Sequence, residues 1–155
     1  MKKLALIIAI LNITACNPGT EHVADKENEV VEAIKSSIGW ALEKDTALLY
    51  SVMSNREDLL IINPDSSTIE GFNAFREVAN SFWLNPKFKA THFELKDLRV
   101  TISSGDEVAW FYCLLDDFAE WDGTAIGWED VRWTGILEKE DGQWKFHQMH
   151  FSFPQ

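Results

Sequence analysis

Two rhythms of apolar residues divide the chain. In its first half they recur every three or four positions. Val30, Val31, Ile34, Ile38, Ala41 and Leu42, with Glu and Lys on the opposite side, predict an amphipathic helix over about 27–44. Asp45 and Thr46 offer N-cap chemistry for a short second helix over 47–53. Leu59-Leu60-Ile61-Ile62 ahead of Asn63-Pro64-Asp65 predicts a short strand ending in a turn. Helical spacing returns with Phe72, Phe75, Val78, Ala79 and Phe82, so a third helix is expected over 71–83, and Pro86 prevents its continuation.

After Thr91 the character changes to strands. Phe93, Leu95, Leu98, Val100 and Ile102 lead into a Ser103-Ser104-Gly105-Asp106 turn, and 108–118 is a long apolar and aromatic strand. Asp122-Gly123 and Asp141-Gly142 mark two more turns, which bracket a strand over about 126–138 and precede a last one over 143–153. Helices first and sequential hairpins afterwards predict an α+β domain. About three N-terminal helices pack in a curved antiparallel sheet, leaving a cone with one open end.

The N-terminal end follows neither rhythm. Met1-Lys2-Lys3 and the apolar run over 4–11, too short to span a bilayer as a permanent helix, have the make-up of an export signal. Ile13-Thr14-Ala15-Cys16 resembles the bacterial lipobox, in which small residues let a peptidase draw in an extended backbone and the cysteine thiol carries lipid. The expectation is a lipoprotein signal peptide over 1–15, lipidation at Cys16, a flexible polar tether over 16–28 and a single domain over 29–154. Acyl chains on Cys16 would hold the protein to a membrane of the bacterial cell envelope. Asn17, where an aspartate would mark inner-membrane retention, favours the outer membrane.

Charge and cysteine content narrow the partners. The formal net charge is −11, and loss of Lys2 and Lys3 with the signal makes it −13, which repels phosphate backbones and argues against nucleic acid. With Cys16 acylated, only Cys113 remains of two cysteines, so no intramolecular disulfide forms, and its apolar neighbours mark it as core filling. No cysteine–histidine spacing of the zinc type and no EF-hand loop occurs, so neither a metal nor a cofactor is expected.

Several C-terminal motifs carry a resemblance. Ala109-Trp110-Phe111, the run Val131-Arg132-Trp133-Thr134-Gly135-Ile136-Leu137-Glu138-Lys139, Asp141-Gly142-Gln143-Trp144-Lys145-Phe146 and His150-Phe151-Ser152-Phe153-Pro154 resemble the SnoaL-like branch of the nuclear transport factor 2 superfamily. The closing Asp-Gly-x-Trp and His-x-Ser are also similar to the association domain of calcium/calmodulin-dependent kinase. The resemblance implies a conical pocket. Its members include polyketide cyclases, ketosteroid isomerases, dehydratases and oligomerisation modules, so it implies no single reaction, and no catalytic residue is carried over from it.

The candidate site comes from strand periodicity. Trp128, Asp130, Arg132 and Thr134 share one side of their strand, and Gln148, His150 and Ser152 share one side of the last. If both sets face inward, a cation, a carboxylate, an imidazole and a hydroxyl converge on the pocket and suit an acidic or carbonyl-bearing ligand. A β-bulge would exchange the faces, and the same residues also suit structural pairs within the sheet. Among the acids around the 122–123 hairpin, Asp117 and Asp130 are the ones that solvation least explains. His92 and His147 receive no role. Seven tryptophans exceed what one small core holds, so some line a cavity or an interface.

The leading expectation is a lipid-anchored domain that binds a small, partly apolar molecule in a conical pocket and forms a homodimer through the outer face of its sheet. Two others stay open. One is an enzyme of isomerase, dehydratase or cyclase type, with His150 or Asp130 carrying the proton and Arg132 stabilising an anion. The other is a structural oligomerisation module whose pocket is plugged by its own tryptophans.

Overall fold

A computed structural model describes residues 18–154, with side chains placed from Asp25 onward; the expected signal peptide and Cys16 lie outside them. Helix α1 runs Pro18–Glu43 and α2 runs Thr46–Ser51, capped by the Asp45 side chain, which accepts from the Leu48 N–H at 3.0 Å. The first helix starts well before its apolar periodicity does. A proline at the first helical position suits that start, since its missing N–H would have no intrahelical partner. The polar stretch expected to be a flexible tether is helical from Pro18 on. Its first described side chains reach the sheet: Lys26 pairs with Asp106 and Glu29 with Lys139.

The third helix is interrupted as well as present. Regular α3, Phe72–Val78, passes into a π-helical turn over Ala79–Trp83, closed by the Leu84 N–H donating to the Ala79 carbonyl at 2.8 Å. That wider turn swings Trp83 toward α1, where its ring meets Trp40 edge-on at 6.5 Å.

Strands β1 (Leu60–Ile62), β2 (Thr68–Glu70), β3 (Phe88–Ile102), β4 (Val108–Trp121), β5 (Thr124–Glu140) and β6 (Gln143–Ser152) form one sheet in the order β2-β1-β6-β5-β4-β3. The β3–β6 meander is antiparallel, as its turns predict. The sheet as a whole is mixed, because β1 runs parallel to β6 with Ile61 opposite Met149. Strand β2 carries a single buried apolar residue, Ile69, and so gives no alternation to read. It is folded back by the Asn63–Ser67 turn, which Asp65 holds by accepting from both the Ser67 N–H and hydroxyl.

Alternation sorts the long strands into two faces. Ala109, Phe111, Cys113 and Leu115 of β4 and Val131, Trp133, Gly135 and Leu137 of β5 are buried toward the helices, while Trp110, Tyr112, Arg132 and Thr134 point away. Gly135 is required there, since a Cβ would lie 2.6 Å from the Phe111 ring. Register shifts between Lys96 and Arg99, between Leu115 and Asp117, and between Ile136 and Leu137 bend the sheet around α1. Two of them are built on aspartates in the left-handed region, Asp97 and Asp130, both at φ 54°. The narrow end of the resulting cone is solid: Trp133, fully buried, stacks on Phe146 and Phe151 and meets Phe111 edge-on at 4.8 Å.

Candidate functional site

The wide end of the cone is not filled. A cavity of about 90 Å³ lies between the helices and the inner face of the sheet, with room for several waters or one compact molecule. Helix α1 contributes Ser37, Ile38 and Trp40, α3 and its π-helical turn contribute Phe75 and Trp83, and the β1 end contributes Ile61 and Asn63. The sheet side is Asp117 of β4, Trp128 of β5, and Met149 and Phe151 of β6. Trp128 leans on Phe151 with centroids 5.4 Å apart.

Asp117 faces this cavity by the alternation of β4, which puts Phe111, Cys113, Leu115 and Asp117 on one face, and a bulge lies beside it. Leu115 pairs with Val131 and Asp117 with Trp128, so Asp116 is the extra residue on β4, while Glu129 and Asp130 are extra on β5. Leu115 and Asp117 both point inward. Gly127 lets β5 come close at this place, since a Cβ there would lie 2.5 Å from the Asp117 carbonyl oxygen. The Asp117 carboxyl has no hydrogen-bond or ionic partner among the described residues, and its cross-strand neighbours are Phe93 and Trp128. Burial without a compensating partner pushes its pKa up to about 6.

Most of the expected site lies on the other side of the sheet. Trp128 lines the cavity, but Asp130, Arg132, Thr134, Gln148, His150 and Ser152 do not. The two extra residues of β5 reverse the alternation, so Trp128 and Val131 share the inner face and Arg132 and Thr134 point out. On β6 the register shift leaves His147 extra, and Met149 and Phe151 rather than His150 face inward. Arg132 lies opposite Ser152, Thr134 opposite His150 and Ile136 opposite Gln148, so the outward polar residues do meet, on the outer face. Around them lies a shallow groove of Arg99, Thr101, Trp110, Tyr112, Thr134 and Gln148, with Trp110 48% exposed.

Asp130 belongs to a third arrangement. Its backbone N–H donates to Asp116 Oδ1 at 2.8 Å, and Lys96 bridges the Asp116 and Asp130 carboxylates from the outer face. The Asp130 N–H and the Lys96 ammonium hold the Asp116 carboxyl below the usual carboxylate range, and the two carboxylates raise the Lys96 pKa. This knot clamps the bulge beside Asp117. A similar pin fixes the β5–β6 bulge: His147 Nε2 lies 2.8 Å from Glu140 Oε1, which also accepts from the buried Ser54 hydroxyl at 2.9 Å. Burial opposes the charge on Glu140, but these two partners outweigh it and lower its pKa.

Residues that strand reasoning missed come from the helices. Ser37 sits in the apolar stripe of α1, and a buried hydroxyl in such a stripe is the signal that could have found it. Asn63 was hidden in a turn motif. Cys113 is buried in the core, and burial pushes its thiol up to about 12, so it is no thiolate at neutral pH. Among the described residues no group of three or more His, Cys, Asp or Glu is placed to hold a metal ion.

Comparison with known proteins agrees with this geometry at the level of the fold. A family model described as a SnoaL-like domain matches residues 30–155. Among solved structures, an NTF2-like protein from Cytophaga hutchinsonii is 15% identical with a TM-score of 0.62, over 87% of this chain and 98% of that one. An NTF2-like family protein from Streptomyces avermitilis, named as a candidate dehydratase, is 15% identical with a TM-score of 0.69, over 85% and 99%. The association domain of C. elegans CaMKII is 15% identical with a TM-score of 0.64, over 86% and 99%. At such identities the likeness is one of fold. A search of curated proteins found no match.

Proposed function

This chain belongs to the SnoaL-like domain family, and we propose that it uses the hollow of that fold to bind a small, partly apolar molecule. The observation that carries the reading is the cavity itself: three indoles, Trp40, Trp83 and Trp128, surround a space that the core does not fill, and a carboxyl without a protein partner faces into it. A pocket that is mostly apolar with few convergent polar groups is the usual form of a ligand site. Native mass spectrometry of the purified full chain, with a retained small molecule lost on Trp128→Ala, tests it. Unliganded protein that shows no fluorescence change against a library of small organic molecules would end it.

The oligomer and the anchor are parts of the same proposal. The outer face presents Trp110 and Ile136 to solvent beside Tyr112, and an exposed apolar patch of this kind suits a second copy of the chain. Trp110→Glu should convert a dimer to monomer in equilibrium sedimentation, and a monomeric parent protein would refute the dimer. Lipidation at Cys16 predicts incorporation of labelled fatty acid that Cys16→Ser abolishes.

Asp117 favours a second reading, acid–base catalysis. A carboxyl near pH 6 is tuned for moving a proton at neutral pH, and Asp117 rather than His150 or Asp130 is the group in the cavity. An enzymatic turnover with a pH profile inflecting near 6, lost in Asp117→Asn, is its signature.

A further inference from the structure

We infer that the cavity is built for a small organic cation, an alkylammonium group held against indole faces and the Asp117 carboxylate, in place of the acidic or carbonyl-bearing ligand that the strand pattern suggested. The inference rests on reading the cavity as a ligand site. Its first support is what lines the space: Asp117 is the sole ionisable side chain there among the described residues, with no Lys, Arg or His beside it. An anion would enter next to a carboxylate in a low-dielectric wall with nothing to offset the repulsion.

The remaining polar groups are biased toward accepting. Ser37 donates its hydroxyl hydrogen to the Ile34 carbonyl at 2.8 Å, which leaves oxygen lone pairs for a ligand. The Asn63 amide nitrogen donates to Ser67 at 3.0 Å, which commits one of its hydrogens and leaves the amide oxygen as an acceptor. A carboxylate, a hydroxyl oxygen and an amide oxygen together match a donor or a positive charge.

The aromatic walls supply the second support. Trp40 and Trp83 stand at 88° to each other, Phe75 is tilted 49° against Trp83, and Trp128 closes the sheet side. Rings set at several angles around a small volume can offer a cation their quadrupoles, and the attraction strengthens where water is excluded. The acidic chain, at −11 net, favours the approach of cations.

The charges around Asp117 leave its titration to the cavity. On β3 its partner is Phe93, on β5 it is Trp128, and α1 and the π-helical turn present Ser37, Trp40 and Trp83. Lys96, Asp116 and Asp130 are joined to one another at the bulge on the outer face. Glu94 lies opposite Asp116, and Glu129 lies beside Trp128; both are exposed. Binding of a cation should therefore follow the ionised fraction of Asp117 alone.

The test titrates the full chain with tert-butylammonium, its isosteric neutral counterpart tert-butanol, and pivalate, by tryptophan fluorescence and calorimetry at pH 7.5 and pH 5. The expected result is tert-butylammonium at least tenfold tighter than tert-butanol at pH 7.5, and about tenfold weaker at pH 5, where a carboxyl titrating near 6 is about one-tenth ionised. Asp117→Asn should erase both differences, and Trp128→Leu should weaken tert-butylammonium binding without altering the pH dependence. Equal binding of the ammonium and the alcohol, tighter binding of either at low pH, or an ammonium preference that survives Asp117→Asn overturns the inference and leaves the cavity a ligand site. Failure of all three probes to bind removes that reading and the inference with it.

Discussion

Asp116 and Asp117 are neighbours in sequence and occupy opposite environments. Asp116 is tied on the outer face to the Asp130 N–H and to Lys96, which keep it ionised. Asp117 looks into an apolar hollow with no protein partner, where burial raises its pKa to about 6. Alternation along β4 sends the two carboxyls to opposite faces, and the bulge beside them brings the Asp130 N–H and Lys96 to Asp116 alone. The outer face thus stabilises its charges with each other. The inner face isolates a single carboxyl for whatever enters. A structural carboxylate and a ligand-facing one are told apart here by partners rather than by burial alone.

The inner face should therefore divide into a packed end and a hollow end, and substitutions should separate them. Trp133→Ala is expected to cost about 3–5 kcal/mol, because it removes a fully buried indole stacked between Phe146 and Phe151. Trp128→Ala, at a half-buried residue lining the hollow, should cost distinctly less while abolishing ligand binding. Urea denaturation of both variants decides it; equal losses would mean that the hollow end is ordinary core.

Asp117→Asn comes next in size and carries the opposite sign. With its pKa raised on folding, the stability Asp117 contributes is complete below about pH 4 and lost as pH rises through about 6. At pH 7.5 the variant should be more stable than the parent by up to about 3 kcal/mol, and the gain should vanish at pH 4. Thermal melts at the two pH values read it, and a destabilised variant at pH 7.5 would show that the carboxylate has a partner after all.

The helices, the meander and its turns were legible because periodicity survives wherever an element is long and one-sided. The faces of β5 and β6 were not. On β5 a bulge separates Trp128 from Arg132, so a period of two puts on one face residues that lie on opposite faces. On β6 alternation holds from Gln148 to Ser152, but it leaves open which face meets the hollow, and that face carries Met149 and Phe151 rather than His150. Asp130 could have signalled this only through its backbone, at φ 54°, which an aspartate adopts without a sequence mark as clear as glycine's. Asp117 was legible as an acid in an apolar strand. Its solitude was not, because partners such as Lys96 reach Asp116 across strands distant in sequence.

On the outer face, Asp116→Asn is expected to cost about 1 kcal/mol at neutral pH, from the weakened hydrogen bonds at the bulge. The sign with pH is opposite to that of Asp117. A carboxyl whose pKa is lowered on folding contributes stability above its ordinary value and loses it as pH falls through the folded one. The deficit of the variant should therefore shrink in acid. If the bulge depends on this knot, ligand affinity should fall too, since Trp128 shares the inner face with Val131 only through the two extra residues of β5.

Arg132→Ala should have the smallest effect and settles the sharpest difference between strand pattern and structure. The side chain is exposed on the outer face opposite Ser152, so its removal should alter stability by less than about 0.5 kcal/mol and leave small-molecule affinity unchanged. A cation within the hollow would behave otherwise, because its loss would strip an anionic ligand of its counter-charge and lower affinity at every pH. Calorimetric titration of this variant beside Trp128→Ala thus asks which face meets the ligand. Lost affinity in Arg132→Ala with retained affinity in Trp128→Ala would move the site to the outer groove of Trp110 and Tyr112, and leave the hollow as unfilled core.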